Sequence, residues 1–365
     1  MKILYVTSNG GIHDYRFLKK LTEDYEVLLL HYAANMLIDE IKNLKNLKII
    51  SVKPLVRSFP LLTNIFHFKK VYNDFKPDVV HTGYVWQVGI VASTLNIHPH
   101  LSMPWGSDIL FEPDKSLLKR VLVKKVMRQS DHIQCDAESV KSKILKDYKV
   151  PENKVTVFPW GIDLNLFKEQ DKNLCRKELG ISEDAFVTVF TRHFDIVYGI
   201  KDLLEGFKLF CKNKNNIQLL LVSGGPLKDY AVDFINKNNL EPYIKIIGKI
   251  PNSKLPVYLG AADVYISPSL SDGTSLSLLE ALAVGPGMVV TDVPAIREWV
   301  SPENGFVIPI NNPEEICNAL DSYYSNRGLI SKHAASNKEI AKDKADWDKN
   351  YLKLKEIYNK LVESK

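Results

Sequence analysis

Short apolar runs and apolar residues spaced three or four apart take turns along this chain. Runs at 3–7, 26–30, 47–52, 78–81, 100–103, 132–135 and 154–158 predict strands, and the spacing at 13–21, 64–75, 85–96, 117–128 and 137–148 predicts helices between them. A strand that is repeatedly followed by a helix belongs in a parallel sheet. The rhythm restarts at 186–190 and runs through 217–222, 243–247, 264–267, 288–291 and 306–308, again with helices between, one of them at 200–211. Pro151 and Pro159-Trp160-Gly161 interrupt the pattern, and 168–177 is charged and poorly patterned, so it reads as a linker. The pattern therefore predicts an α/β protein with two Rossmann-like domains, 1–165 and 166–345. A terminal helix over 345–360 carries Trp347, Tyr351, Leu354, Ile357 and Tyr358 on one side.

In an open α/β sheet, ligands bind at the carboxyl ends of the strands. The most informative such end is S-P-S-L-S-D-G-T-S-L-S-L-L-E, Ser267 to Glu280, between the strand 264–267 and a helix marked by Leu276, Leu279 and Leu282. Asp272-Gly273 signals a turn, and Thr274 or Ser275 suits a helix cap, which leaves the N–H groups near Leu276 at a positive terminus that accepts an anion such as a diphosphate. Glu280 and Asp272 are acceptors for ligand hydroxyls. An ordinary surface turn fits the same residues. Four further strand ends carry polar groups: Gly10-Gly11 after the first strand, His81 closing another, Gly106-Ser107-Asp108 after the next, and Arg192 ahead of Tyr198-Gly199. Arginine there can grip a diphosphate bidentately, and Gly224-Gly225 permits close backbone approach. The first βα turn is not G-x-G-x-x-G and no acidic residue follows at the ribose position, which argues against a nicotinamide cofactor.

Asp272 to Glu280, with Ala281-Leu282-Ala283, resembles the E-x7-E signature of the family 4 retaining glycosyltransferases of the GT-B fold, with Asp in place of the first Glu. Phe158-Pro-Trp-Gly-Ile-Asp-Leu-Asn-Leu-Phe167 is similar to that family's interdomain segment, and Pro77 to His81 and Gly106 to Asp108 resemble its N-terminal motifs. The resemblance implies two domains facing each other across a cleft, an acceptor-side domain over 1–165, a nucleotide-sugar domain over 166–345, and 346–365 returning to the first. It further implies transfer of a sugar from a UDP- or GDP-sugar co-substrate to an acceptor hydroxyl, with retention, no metal and no other cofactor, in the assembly of cell-surface polysaccharide or glycolipid. Arg192 would stabilise the departing diphosphate, Asp272 would hold a donor-sugar hydroxyl and Glu280 the ribose. Asp108 would join Arg192 and Asp272 as a catalytic residue, in a polar role. Gly273, Thr274, Ser275, Leu276, Tyr198, Gly224, Gly225, Gly10, Gly11 and His81 would line the donor. Trp105 stands where the family commonly has His, and Tyr198 where it has Lys.

Composition adds limits. The chain has 365 residues, 45% hydrophobic and 25% charged, enough for two cores. It shows no apolar stretch of about 18 residues and no secretory leader, so a cytoplasmic protein is expected. Cys135, Cys175, Cys211 and Cys317 are scattered, which indicates neither a disulfide framework nor a zinc site. Residues 1–165 carry a net +6 and the remainder −1. Much of the excess lies in Lys115 to Arg128, where apolar and basic residues alternate as in a helix on an anionic membrane face, a pattern also met in a helix packed on its own domain. Interleaved aromatics are missing from the basic runs, which speaks against nucleic acid. A GT-B epimerase and a non-catalytic partner subunit are the alternatives to a transferase.

Overall fold

The computed structural model describes residues 1–32, 36–53, 60–212 and 214–363, with the side chains of 60–63 outside the description. Among these residues the chain forms two compact units, one of Met1–Pro159 with the chain from Tyr351 on, the other Trp160–Asn350. The first unit holds a parallel sheet of β1 (Lys2–Thr7), β2 (Glu26–Tyr32), β3 (Leu47–Val52), β4 (Val79–Gly83), β5 (His100–Met103), β6 (His132–Cys135) and β7 (Val155–Val157), in the order β3-β2-β1-β4-β5-β6-β7. The second holds β8 (Phe186–Phe190), β9 (Ile217–Leu221), β10 (Ile244–Ile246), β11 (Val264–Ser267), β12 (Gly287–Thr291) and β13 (Phe306–Ile308), also parallel, in the order β10-β9-β8-β11-β12-β13. The strand order reverses between β1 and β4 in one sheet and between β8 and β11 in the other, and those are the points where ligands enter such sheets.

Burial on both faces explains the apolar runs. Every residue of β8, β11 and β12 is buried, and so is most of β1. Leu4, Val6, Leu30 and Phe68 anchor the core of the first unit, and Phe186, Phe190, Phe207 and Ile266 that of the second. The terminal helix Trp347–Glu363 docks Tyr351 on the first unit through its hydroxyl, 2.9 Å from Asp24 Oδ2 and 3.1 Å from the Lys20 carbonyl.

Two segments differ from the sequence expectation. The linker at 168–177 contains a helix, Lys172–Leu179, which Asp171 caps by accepting from Leu174 N–H and which Gly180 ends in the left-handed conformation. Its capping residues were legible, but its short apolar stripe was not. The helix expected over 85–96 is broken. Val85–Gly89 is an irregular turn with Gln87 at φ 78°, and a short helix, Ile90–Thr94, follows. The break has a long-range cause, since the Asp108 carboxylate takes the Val85 N–H at 2.8 Å.

Below the second sheet, Asp263 at the start of β11 accepts from Arg176 Nη2 at 2.8 Å, Lys172 Nζ at 2.9 Å and the Val187 amide at 2.8 Å. The Arg176 and Asp263 side chains are 2% and 3% exposed, so the pair has little water to fall back on. Asp263→Ala should therefore destabilise the protein by roughly 3–5 kcal/mol, because it strands a buried guanidinium. Urea unfolding of the whole chain measures this, and a loss under about 1 kcal/mol would contradict the buried-pair account.

Candidate active site

In the second unit the site is assembled from the ends of β8, β9, β10 and β11. Helix Leu276–Val284 starts after β11 with Ser275 as its cap, the Ser275 hydroxyl accepting from Leu278 N–H at 3.3 Å, and Gly285 ends it at φ 102°. Its sequence is apolar nearly all round because all of it except Ser277 is buried. At the switch point, Arg192 reaches across from the end of β8. Its Nη2 donates to Asp272 Oδ2 at 2.6 Å, and its Nη1 donates to the Ser275 hydroxyl and to Ser277 Oγ at 3.0 Å. Tyr198 packs its ring face under the guanidinium, 4.1 Å from the ring centre, a cation–π contact.

Close backbone approach makes this convergence possible. A Cβ on Gly199 would lie 1.9 Å from the Pro268 carbonyl oxygen, and Leu270 N–H donates to the Val197 carbonyl at 2.8 Å, so the turns after β8 and β11 are stapled together. Gly225 packs on the Phe194 backbone, where a Cβ would meet the chain at 2.6 Å. Gly224 is different, since an added Cβ would make only ordinary contact with Lys249, at 3.8 Å.

Burial works against the charges here, and the neighbours restore them. Burial raises the Asp272 pKa while Arg192 opposes the rise. Burial also disfavours the Arg192 charge, but Asp272, Tyr265, Tyr198 and Glu280 together hold that pKa above its usual value. Glu280 is buried, and Asn252 Nδ2 lies 3.4 Å from its Oε1. Arg192, Asp272, Gly273, Thr274, Ser275, Leu276, Glu280, Tyr198, Gly224 and Gly225 thus all belong to one unit and one sheet edge. Sequence reasoning missed Asn252 and Lys249. The signal was present, because Gly248-Lys249-Ile250-Pro251-Asn252 is itself a turn at the end of β10.

The remaining candidates lie in the first unit. Gly10 is left-handed at φ 69°, an added Cβ would strike Leu37 at 2.5 Å, and its N–H donates to Asp14 Oδ2 at 2.8 Å. Gly11 caps helix Ile12–Asp24 from extended backbone, with only Asn9 Oδ1 near an added Cβ, at 3.7 Å. Two expectations need correcting. His81 is fully buried, with Nδ1 2.6 Å from the Tyr358 hydroxyl and its ring against Tyr5 and Phe17, and burial pushes its pKa down to about 3. In this arrangement the imidazole is packed in the core and presents no exposed edge. Asp108 is equally buried, accepting from Val85 and Trp105 N–H at 2.8 and 2.9 Å, so in this arrangement it holds backbone in place of ligand.

The model of the glycosyl transferases group 1 matches residues 171–344, and that of glycosyl transferase 4-like proteins matches 2–137, so the two cover most of the chain. The chain belongs to the group 1 glycosyltransferases. An uncharacterized glycosyltransferase of Methanocaldococcus jannaschii, MJ1178, is 25% identical over 99% of this chain and 97% of its own length. The alpha-monoglucosyldiacylglycerol synthase of Acholeplasma laidlawii is 29% identical over 53% of this chain and 50% of its own. Several other relatives are likewise matched over only about half of their length, 55% and 56% in two cases. Anabaena Alr3699/HepE, solved in complex with UDP, superposes with a TM-score of 0.83 at 16% identity, covering 99% of this chain and 100% of that one. At that identity the likeness establishes the fold, a two-domain GT-B architecture.

Among the described residues of this glycosyltransferase no group of three or more His, Cys, Asp or Glu is placed to hold a metal ion, and no helix is long and apolar enough to cross a membrane. Asp14 and Asp108 are among the buried carboxyls of its first unit. Asp14 accepts from Gly10 N–H, the Tyr5 hydroxyl at 2.8 Å and the Thr7 hydroxyl at 3.3 Å. Burial lifts both Asp14 and Asp108 from 3.8 to about 6. A carboxyl whose pKa is higher in the fold binds its proton preferentially there, so its stabilising contribution is full below pH 3.8 and is lost as pH rises through about 6. At 1.36 kcal/mol per unit this amounts to roughly 3 kcal/mol per group. Asp14→Asn should therefore reduce the fall in stability between about pH 4 and pH 7 by roughly that amount. Urea unfolding at the two pH values measures it, and an unchanged pH slope would contradict the assignment.

Proposed function

We propose that the protein moves a sugar from a UDP- or GDP-sugar to an acceptor hydroxyl with retention of anomeric configuration and without a metal. The observation that carries this reading is Arg192, a partly buried guanidinium held at the switch point beside the first turn of helix Leu276–Val284. A diphosphate arriving there exchanges with the Asp272 carboxylate for the Nη groups and meets the first-turn N–H groups, as anions do at helix starts. Asp272, released, accepts from a hydroxyl of the donor sugar, and Glu280 accepts from the ribose. The acceptor oxygen then attacks the anomeric carbon on the face from which the diphosphate leaves. As the carbon–oxygen bond to the phosphate breaks, the acceptor proton passes to the departing phosphate oxygen. Arg192 stabilises the charge that builds there, and such preorganised electrostatics supplies much of a catalyst's effect. The UDP complex of the Anabaena relative supports the donor class, and the Acholeplasma synthase supports a lipid-linked or saccharide acceptor in glycolipid or polysaccharide assembly.

We further infer that the protein works at the inner membrane surface as a peripheral, cytoplasmic enzyme. Helix Leu117–Gln129 buries Val123, Val126 and Met127 but exposes Leu117 at 80%, Leu118 at 68% and Val121 at 63%, with Arg120, Lys124 and Lys125 around them. An exposed apolar row flanked by cations is the pattern of a helix lying on anionic lipid.

Two outcomes are expected. In ligand-observed NMR, UDP or GDP binds the wild type, and Glu280→Ala abolishes that binding. Arg192→Ala, while still folded by circular dichroism, lowers turnover of the corresponding nucleotide sugar by roughly 10²–10³-fold. Binding of neither nucleotide, or near-normal turnover in Arg192→Ala, would overturn the reading. In sedimentation with vesicles, the protein should follow phosphatidylglycerol but not phosphatidylcholine, and Leu118→Asp with Lys125→Glu should leave it in the supernatant. Equal partition between the two lipids would remove the membrane inference.

A further inference from the structure

The turn after β4 is strained, and a single buried carboxylate clasps it. Tyr84 sits at φ 77°, ψ 116° and Gln87 at φ 78°, ψ −79°, conformations that side-chain-bearing residues rarely adopt. Strain of this kind persists only where the surroundings over-determine it. Here the surroundings are specific. Tyr84 N–H donates to the Met103 carbonyl at 3.0 Å, while Asp108 takes Val85 N–H through one oxygen at 2.8 Å and Trp105 N–H through the other at 2.9 Å. The carboxylate thus ties the ends of β4 and β5 to each other. Ser107 holds the Tyr84 hydroxyl, and Gly106 turns the chain at φ 94° so that Asp108 can fold back.

What this clasp presents is aromatic. Trp105 is half-buried, edge-on to His13 at 5.4 Å and to Tyr84 at 6.1 Å between ring centres, and Trp86 beside them lies under the Lys119 ammonium at 4.7 Å. His13, Tyr84 and Trp105 follow the ends of β1, β4 and β5, so they stand at the carboxyl edge of the first sheet around the switch point between β1 and β4. Rigid aromatic side chains give large contact area at little entropic cost, and they pair an apolar face with a polar edge. A pyranose ring has the matching surface, a patch of C–H bonds rimmed by hydroxyls.

We propose that Asp108 is a positioning residue whose buried carboxylate holds the strained Tyr84–Gln87 turn against Trp105, and that Trp105, Tyr84 and His13 so arranged bind the pyranose ring of an acceptor. The choice of a sugar as the ligand rests on the glycosyl-transfer reading, and the clasp itself does not. Asp108 touches no ligand. It acts by keeping the aromatic groups in one arrangement before the ligand arrives.

The test uses methyl α-D-glucopyranoside as the probe, followed by saturation-transfer NMR and tryptophan fluorescence on the full chain, with UDP binding measured in parallel. The wild type binds the glycoside, Trp105→Ala does not, and Asp108→Asn weakens binding by about tenfold, the scale on which lost preorganisation enters a dissociation constant. Gln87→Gly in the Asp108→Asn background restores most of that loss, because glycine takes the left-handed conformation without a clasp. A merely structural aspartate would show no such rescue. UDP binding stays within about twofold throughout, since its proposed groups lie in the other unit. Absent glycoside binding, equal binding by Trp105→Ala, or undiminished binding by Asp108→Asn each overturns the proposal. If Asp108→Asn does not fold, Trp105→Ala and the single Gln87→Gly variant decide it, the latter being expected to bind as the wild type does. Loss of UDP binding with glycoside binding intact would strike the donor reading alone.

Discussion

The second unit is built around one desolvated cation. Arg192 has to hold a guanidinium at the meeting of two strand ends, and a cation there is tolerable only with an anion and hydroxyls close by. Asp272, Ser275 and Ser277 supply them, delivered by the turn after β11 and the first turn of the helix that follows it. The rest of the unit follows from keeping that turn near β8. Gly199 has no side chain because the Pro268 carbonyl occupies the space, and Gly225 has none because the Phe194 backbone does. At the opposite end of β11, Asp263 fixes the strand to β8 through the Val187 amide and to Arg176. Charge pairing at both ends of one buried strand sets where the helix begins.

The first unit solves a similar problem with the opposite charge. Its turns after β1, β4 and β5 are irregular, and irregular backbone leaves amides that must find acceptors. Asp14 serves the Gly10 turn and Asp108 serves the Tyr84 and Trp105 turns, each carboxylate accepting from backbone. Burial raises both pKa values, so the fold keeps these anions at some cost above pH 6. That cost is tolerated because no neutral side chain offers as many strong acceptor positions in so small a volume.

Much of this was legible in the sequence, for reasons that differ by residue. The strands were readable because sheets covered on both faces demand unbroken apolar runs, as in Phe186–Phe190 and Val264–Ser267. The convergence of Arg192 with Asp272 and Ser275 followed from a topological rule, namely that strand ends on either side of a switch point are neighbours. The burial of His81 was not legible, because position in a strand does not say which neighbours close over it. Tyr358 does so from 277 residues away. The break at Val85 was hidden for the same reason, since the acceptor that competes with the helix is Asp108, 23 residues on. Lys249 and Asn252 were missed because a short polar turn carries no period, although it too ends a strand.

The departures from the resembled family bear on how the donor would be held. With Tyr at 198 in place of Lys, Arg192 faces a diphosphate without a second cation on its own turn, and Asp272 already neutralises it. Under the proposed chemistry, then, donor binding is an exchange of one anion for another at a single guanidinium. It gains less from net charge than a two-cation site would. The difference must come from groups whose field does not depend on a side-chain charge, and the first turn of helix Leu276–Val284 provides them in its unsatisfied N–H groups. Tyr198 contributes by shielding the guanidinium with its ring face, which keeps the local dielectric low and makes each remaining contact count for more. Asp, one methylene shorter than Glu, fits the same logic. It reaches Arg192 at 2.6 Å in the resting site, so the cation is paired until a diphosphate replaces the carboxylate.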